Sequence, residues 1–325
     1  MKFCIVGAGA IGGLLGARLA MAGHDVSLVA RGAHLAAIAA GGLAHRAPDG
    51  RETRLRLPAS ERPEDFGPQD AVIVALKAYS IAPMLGRLAG LLGPDTAVVT
   101  AINGLPWWYF HREGGRFDGS RVECLDPDGA MLRALDPDRI VGCVVHTAAE
   151  VVRPGAVHHT GGARLFVGEL DGRVTPRLRA LAAAIDASGL EAVVTERVRD
   201  DIWTKLIGNL SFNPVAALTG ELMDEICDSP ALAALIRRMM EEGIRVGEAY
   251  GARFAVDVDE RLAMARRIGA ARISMLQDLE RGRPLELDAI VGAVVELARR
   301  VGLPTPTIDG VGALLRARAA RARRA

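Results

Sequence analysis

Two stretches of this chain combine residue types and spacing that could do chemistry. The first is Gly7-Ala8-Gly9-Ala10-Ile11-Gly12, a G-x-G-x-x-G pattern between a short apolar run and a helical pattern. In that context Gly7 permits a tight turn, Gly9 lets backbone approach a pyrophosphate, and Gly12 lets a helix pack closely on a strand. The helix N-terminus would then offer unpaired N–H groups and the positive end of its dipole to phosphate. A glycine-rich turn without a ligand is the plain alternative. The second stretch runs from Trp203 to Pro214, where Lys205, Asn209 and Asn213 recur at i, i+4 and i+8 and share one helix face. Leu206, Ile207, Leu210 and Phe212 around them are apolar, so the polar stripe is expected to be partly buried. Asparagine is a mediocre helix former, and two in one stripe need a reason. A solvated face and a reactive site both remain open. Pro214 is expected to bend or end the helix just past the stripe.

Cofactor choice is written at the end of the second strand. An NAD site carries an acid about 20 residues beyond the glycines to bind the ribose 2′-OH. Here Arg31 stands nineteen residues after Gly12, directly after VSLVA, with no acid in its place. A carboxylate would repel a 2′-phosphate, whereas a guanidinium can grip it bidentately. The expected cofactor is NADP(H); the alternative is that Arg31 caps a solvent-facing loop.

These residues need elements to position them. Strands are expected over 2–6, 25–30, 70–76 and 96–101, with a helix over 11–22. The continuous apolar run 70–76 marks a parallel strand covered on both faces. Strands alternating with helical patterns indicate βαβ units and a doubly wound sheet. Further strands are expected over 140–148, 156–159, 165–167 and 191–195, with a helix over 176–187. From about residue 198 only helical periodicity remains, over 202–213, 230–250, 259–281, 286–301 and 308–324. The fold class is therefore α/β: a Rossmann-type domain over 1–196, then an all-helical domain over 197–325. A length of 325 residues fits two domains at about 150 residues each.

Composition excludes other classes. Forty Lys and Arg against 39 Asp and Glu leave a formal charge of +1, too little to gather nucleic acid or an anionic membrane. Half the residues are apolar, unlike a disordered chain or a disulfide scaffold. Cys4, Cys124, Cys143 and Cys227 form no C-x-x-C pair, so no metal cage or dithiol site is signalled, and their sparse use suits the cytoplasm. Lys2 before an apolar run imitates a secretory signal, but Arg18 and five glycines break it. No segment approaches the roughly 20 apolar residues of a membrane span. Arg316, Arg318, Arg321, Arg323 and Arg324 read as a solvated helix end, with a partner-binding arm as the alternative.

The chain resembles the ketopantoate reductase (2-dehydropantoate 2-reductase) family across nearly its whole length. The matching pieces are GAGAIG from Gly7, Arg31, LKAYS around Lys77, Asn103-Gly104, PGAVHHTG from Pro154, KLIGNLSFNP from Lys205 and SMLQDLERGRPLELD from Ser274. The resemblance implies a Rossmann domain followed by a helical domain, with the substrate in the cleft between them. It implies that Lys205 is the general acid, protonating the carbonyl oxygen as hydride reaches the keto carbon, and that Glu286 bonds the substrate hydroxyl and helps hold Lys205. Asn209 and Asn213 would position polar groups of the substrate and Ser274 would contact its carboxylate. Lys77 and Asn103 would lie near the nicotinamide end. The expected partner is a small-molecule 2-oxo acid; a homodimer is allowed but not specified.

Each role has a bland counterpart: a strand-end lysine at 77, a turn pair at 103–104, a backbone-bonded hydroxyl at 274, a helix-dipole carboxylate at 286. Asp278, Glu280 and Asp288 are expected at the surface, and His158 and His159 to be structural. The chain departs from the family where Pro106-Trp107-Trp108-Tyr109-Phe110 replaces a short Gly-x-Gly turn, where 103–142 runs long, and at Ala271 and Val291 in place of asparagines. If the aromatics roof the pocket, the preferred substrate is a larger or more apolar 2-oxo acid; otherwise they pack under the loop or at a subunit contact. A non-catalytic NADP(H) sensor is the reading from another class, opposed by the joint presence of Lys205 and Glu286.

Overall fold

Phe3, Cys4, Ile5 and Val6 have no exposed surface, as a strand covered on both faces requires. They form β1 (Lys2–Val6), which in the computed structural model, describing residues 1–322, pairs in parallel with β2 (Asp25–Val29) on one side and β6 (Gln69–Val74) on the other. Helix α1 (Ala10–Met21) joins β1 to β2. The chain continues through α2 (Gly32–Gly41), a hairpin of β3 (Leu43–Arg46) and β4 (Glu52–Leu55), and β5 (Ala59–Ser60) before returning to β6. That reversal around β1 is a topological switch point, where open α/β sheets bind ligands at strand carboxyl ends.

The sheet then grows through α3 (Ala82–Leu85), β7 (Leu92–Ala101), α4 (Ala130–Ala134), β8 (Ile140–Arg153), β9 (Ala156–Glu169), α5 (Pro176–Ala187) and β10 (Glu191–Val194). Its order is β4-β3-β9-β8-β7-β6-β1-β2-β5, with β10 on β9. All pairs are parallel except β3–β4 and β8–β9. The α/β expectation stands. β8 and β9 are 14 residues each, continuous where three shorter strands were expected; register shifts near Ala148 and Val151 interrupt their alternation without ending them.

The chain divides into two compact units, and not by a single cut. The sheet unit holds 1–102, 110–120 and 129–198; the helical unit holds 103–109 and 121–128 as well as everything described from 199 onward. Its helices are α6 (Val198–Thr219), α7 (Met223–Asp228), α8 (Pro230–Ala249), α9 (Val258–Ile268), α10 (Ser274–Glu280), a π-helical turn (Asp288–Gly292) running into α11 (Ala293–Arg300), and α12 (Pro306–Ala322).

Two carboxylates organise this unit. Glu242 of α8 accepts the backbone N–H groups of Thr307 and Ile308 at 3.0 and 2.9 Å, satisfying donors that the start of α12 leaves unpaired. Glu296 of α11 accepts those of Glu123 and Cys124 at 2.9 and 2.8 Å, which ties the excursion 121–128 into the unit.

Two helical expectations are corrected. Pro214 does not end α6, which runs on to Thr219: proline forfeits one backbone bond, and the buried neighbours Phe212, Val215 and Ala216 hold the helix by packing. The helix expected over 259–281 is two, because Gly269 turns the chain at positive φ. Of the C-terminal arginines, Arg318 donates to the Leu218 carbonyl, while Arg323 and Arg324 lie outside the described residues. Among the described residues no helix is long and apolar enough to cross a membrane.

Candidate active site

The glycine turn follows β1 at the switch point. The N–H groups of Gly7 and Ala8 both donate to the Val29 carbonyl, at 3.1 and 3.0 Å, which pins the turn to the carboxyl end of β2. A Cβ on Gly12 would lie 2.1 Å from the Gly7 carbonyl oxygen, so no side chain fits there. Gly9 is the opposite case: a Cβ there would meet nothing within 4 Å, so the turn is open on that side. Gly9 is also the N-cap of α1 and supplies no side-chain cap, and Ala10 and Ile11 begin a first turn without an acid. The N–H groups at the start of α1 are thus left for an outside anion, and the turn fits a dinucleotide pyrophosphate.

Arg31 stands at the N-cap of α2 in extended conformation, exposed, and its guanidinium makes no hydrogen bond or ion pair within the described residues. It is available to a 2′-phosphate. Lys77, half-buried, follows Ala75 and Leu76, whose atoms would lie 2.8 and 2.7 Å from a Cβ on Gly7. The strand end carrying Lys77 therefore abuts the glycine turn.

In the helical unit Lys205 is half-buried on α6, and its Nζ donates to Asn103 Oδ1 at 2.8 Å. Asn103 is delivered by the loop after β7. Gly104 has φ +79°, and a Cβ on it would lie 2.5 Å from the Ala289 carbonyl oxygen, the oxygen that accepts the Leu105 N–H at 2.8 Å. Only glycine lets this loop lie against the segment 286–289. Glu286 enters that segment between buried Leu285 and Leu287 and is itself 6% exposed. Asn209 and Asn213 continue the Lys205 face, and neither amide bonds to another described residue. Ser274 is exposed at the start of α10, and its hydroxyl makes no hydrogen bond within the described residues. The structure thus joins Asn103 to Lys205 directly, sets the Glu286 segment against 104–105, and leaves Ser274 at the surface.

An ammonium held by an amide oxygen, with further amides along the same face that bond no other described residue, has the chemistry of a proton donor beside a polar stripe. A family model described as Ketopantoate reductase PanE/ApbA matches residues 3–108, and one described as Ketopantoate reductase PanE/ApbA C terminal matches 197–319. The chain belongs to the ketopantoate reductase family. It is an oxidoreductase. It is 50% identical over 317 residues to a 2-dehydropantoate 2-reductase of Mesorhizobium japonicum, covering 97% of each chain. A candidate ketopantoate reductase from Ralstonia solanacearum superposes with a TM-score of 0.93 at 41% identity, over 99% of this chain and 98% of that one. A 2-dehydropantoate 2-reductase from Geobacter metallireducens gives 0.85 at 30% identity, over 98% and 99%.

Several positions in this chain differ from expectation. Asp278 is not a surface charge but only 5% exposed, with Arg283 at 3.8 Å. It lies on the inner face of α10, a fact set by tertiary packing that a charge-rich string conceals. Glu280 and Asp288 are exposed as expected. Trp107, Trp108, Tyr109 and Phe110 are all buried. Tyr109 anchors the helix that bears Lys205: its hydroxyl accepts the indole N–H of Trp203 at 2.7 Å, and its carbonyl accepts Arg199 Nε at 2.7 Å. Val291 is fully buried against Gly312, so its apolar character serves the core. Arg261 was not singled out in the sequence. It donates to the carbonyl of Thr204, the residue before Lys205, at 2.8 Å, and burial lowers its pKa from the usual arginine range. Nothing in its local sequence distinguishes it from the other arginines of α9.

Proposed function

We propose that this chain reduces 2-dehydropantoate to pantoate with NADPH. The observation that carries the reading is the Lys205 ammonium held by Asn103 at the head of the Asn209 and Asn213 stripe. The name of the relative at 50% identity supports the substrate, and the unpaired Arg31 guanidinium in place of an acid supports the phosphorylated cofactor.

Bound NADPH supplies the hydride that the keto carbon receives. Lys205 releases a proton to the carbonyl oxygen as the new C–H bond forms, and its positive charge stabilises the developing alkoxide. Asn103 aims the ammonium through the hydrogen bond it accepts. Glu286 bonds the substrate hydroxyl and helps hold Lys205. Asn209 and Asn213 offer amides to the polar groups of the acid, Ser274 to its carboxylate, and Lys77 neutralises charge near the nicotinamide. The residues of 1–196 carry the cofactor and those of 197–325 the proton chemistry, with 103–109 serving the latter.

The test is an NADPH-oxidation assay across a panel of branched, aromatic and straight-chain 2-oxo acids. The highest kcat/KM is expected for 2-dehydropantoate, with NADPH preferred to NADH. A higher value for another 2-oxo acid reassigns the substrate and leaves the reaction class intact. NADPH binding without turnover on any of them overturns the enzymatic reading.

A further inference from the structure

His34 lies three residues beyond Arg31, in the first turn of α2, with its ring half-buried. Its Nε2 is 2.8 Å from the carbonyl oxygen of Ala8, in the middle of the glycine turn. Its Nδ1 is 3.1 Å from the backbone nitrogen of Gly155, in the turn between β8 and β9. A carbonyl can only accept and a backbone N–H can only donate, so Nε2 carries the proton and Nδ1 is bare. One neutral imidazole therefore links α2, the glycine turn and the β8–β9 turn.

Both ends of this link are fixed. The Ala8 N–H donates to Val29, and the Gly155 carbonyl accepts from the Ala44 N–H at 2.9 Å. Gly155 has φ +76°, and a Cβ on it would lie 2.9 Å from that of Ala37 on α2. This gives the Pro154-Gly155 start of the PGAVHHTG motif a task that the substrate chemistry does not use.

We infer that His34 is a positioning residue of the dinucleotide site, holding the Ala8–Gly9 peptide so that its N–H faces the phosphates. In a trans peptide the C=O and N–H point in opposite directions. With the Ala8 carbonyl anchored on His34, the Gly9 N–H points the other way, and Gly9 is where the turn is open. Without the anchor this peptide can rotate and present an oxygen to an anion. The inference rests on the reading that the turn holds the phosphates of NADPH.

Protonation adds a hydrogen to Nδ1 and abolishes the Gly155 bond. Burial already lowers the His34 pKa, against the opposing pull of the Ala8 carbonyl. The charged and titratable groups on the elements that His34 touches include Arg31 just before its own helix, Glu150, Arg153 and His158 around the hairpin turn, and Arg18 on α1. Arg153 and His158 face Glu52 at 4.0 Å and Glu150 at 3.5 Å.

The experiment is a calorimetric NADPH titration of wild type, His34→Ala and His34→Gln, with Tm and steady-state kinetics measured on each. Binding by the wild type checks the dinucleotide reading by itself; its failure removes that reading and this one together. Given binding, His34→Ala loses two hydrogen bonds and raises Kd roughly tenfold or more. At saturating NADPH its kcat and its KM for 2-dehydropantoate stay within about twofold of wild type. His34→Gln retains a donor for Ala8 and cannot titrate. It binds better than His34→Ala, and its Kd is flatter than that of wild type as pH falls from about 7 to 5. A folded His34→Ala with wild-type NADPH affinity overturns the inference, and so does parallel loss of kcat and affinity.

Discussion

At the glycine turn every group that would meet the ligand is backbone, and the residues around it matter for what they lack: no Cβ at Gly12, no cap and no acid at the start of α1. At the Lys205 stripe every group is a side chain, and its key contact joins residues 102 positions apart. The two regions therefore fail in opposite ways. The turn breaks when atoms are added, because backbone donors reach an anion only where nothing stands in front of them. On the proposed reading the stripe breaks when atoms are removed, because the ammonium would act only while its partners aim it.

The comparison can be broken by substitution. The largest effect is expected from Gly12→Val, whose Cβ must displace the Gly7 carbonyl or α1 itself. Overpacking of this kind costs about 1–3 kcal/mol or more, so NADPH affinity should fall by about tenfold to a hundredfold or beyond. Calorimetry alongside Tm checks it, and unchanged NADPH affinity would show that the turn does not hold the phosphates.

Next in size is Arg31→Ala. Losing a charge-assisted pair worth roughly 1.5–3 kcal/mol should weaken NADPH by about tenfold to a hundredfold while leaving NADH nearly untouched. Equal losses for both cofactors, measured as separate Kd values, would contradict the phosphate assignment.

The smallest effect sharpens the helical side. Tyr109→Phe removes a hydroxyl and strands the fully buried indole N–H of Trp203. An unsatisfied buried donor costs about 1–3 kcal/mol, so the midpoint of denaturant unfolding should drop without loss of NADPH affinity.

The same contrast explains what could be read before the fold was known. β1, the turn and α1 are contiguous, and glycine spacing reports backbone geometry directly, so that region was legible to within a residue. The Lys205, Asn209 and Asn213 face was legible from helical periodicity. The pairing of Lys205 with Asn103 was not, because a contact across 102 residues leaves no local trace; resemblance placed Asn103 only near the nicotinamide end. Asp278 looked like a surface charge beside Glu280, since burial depends on what packs over α10. Gly269 was overridden by the charged periodicity on either side of it. His34 stands among alanines with nothing local to mark it, although its ring reaches both the glycine turn and Gly155.

The proposed division between a cofactor-holding turn and a proton-donating side chain meets its most direct test in Lys205→Met. The variant should bind NADPH with a Kd within about twofold of wild type. Its turnover of 2-dehydropantoate should fall by a factor on the order of 10² or more. Retained turnover would remove Lys205 as the acid, and a matching loss of NADPH affinity would show that the two tasks are not separate.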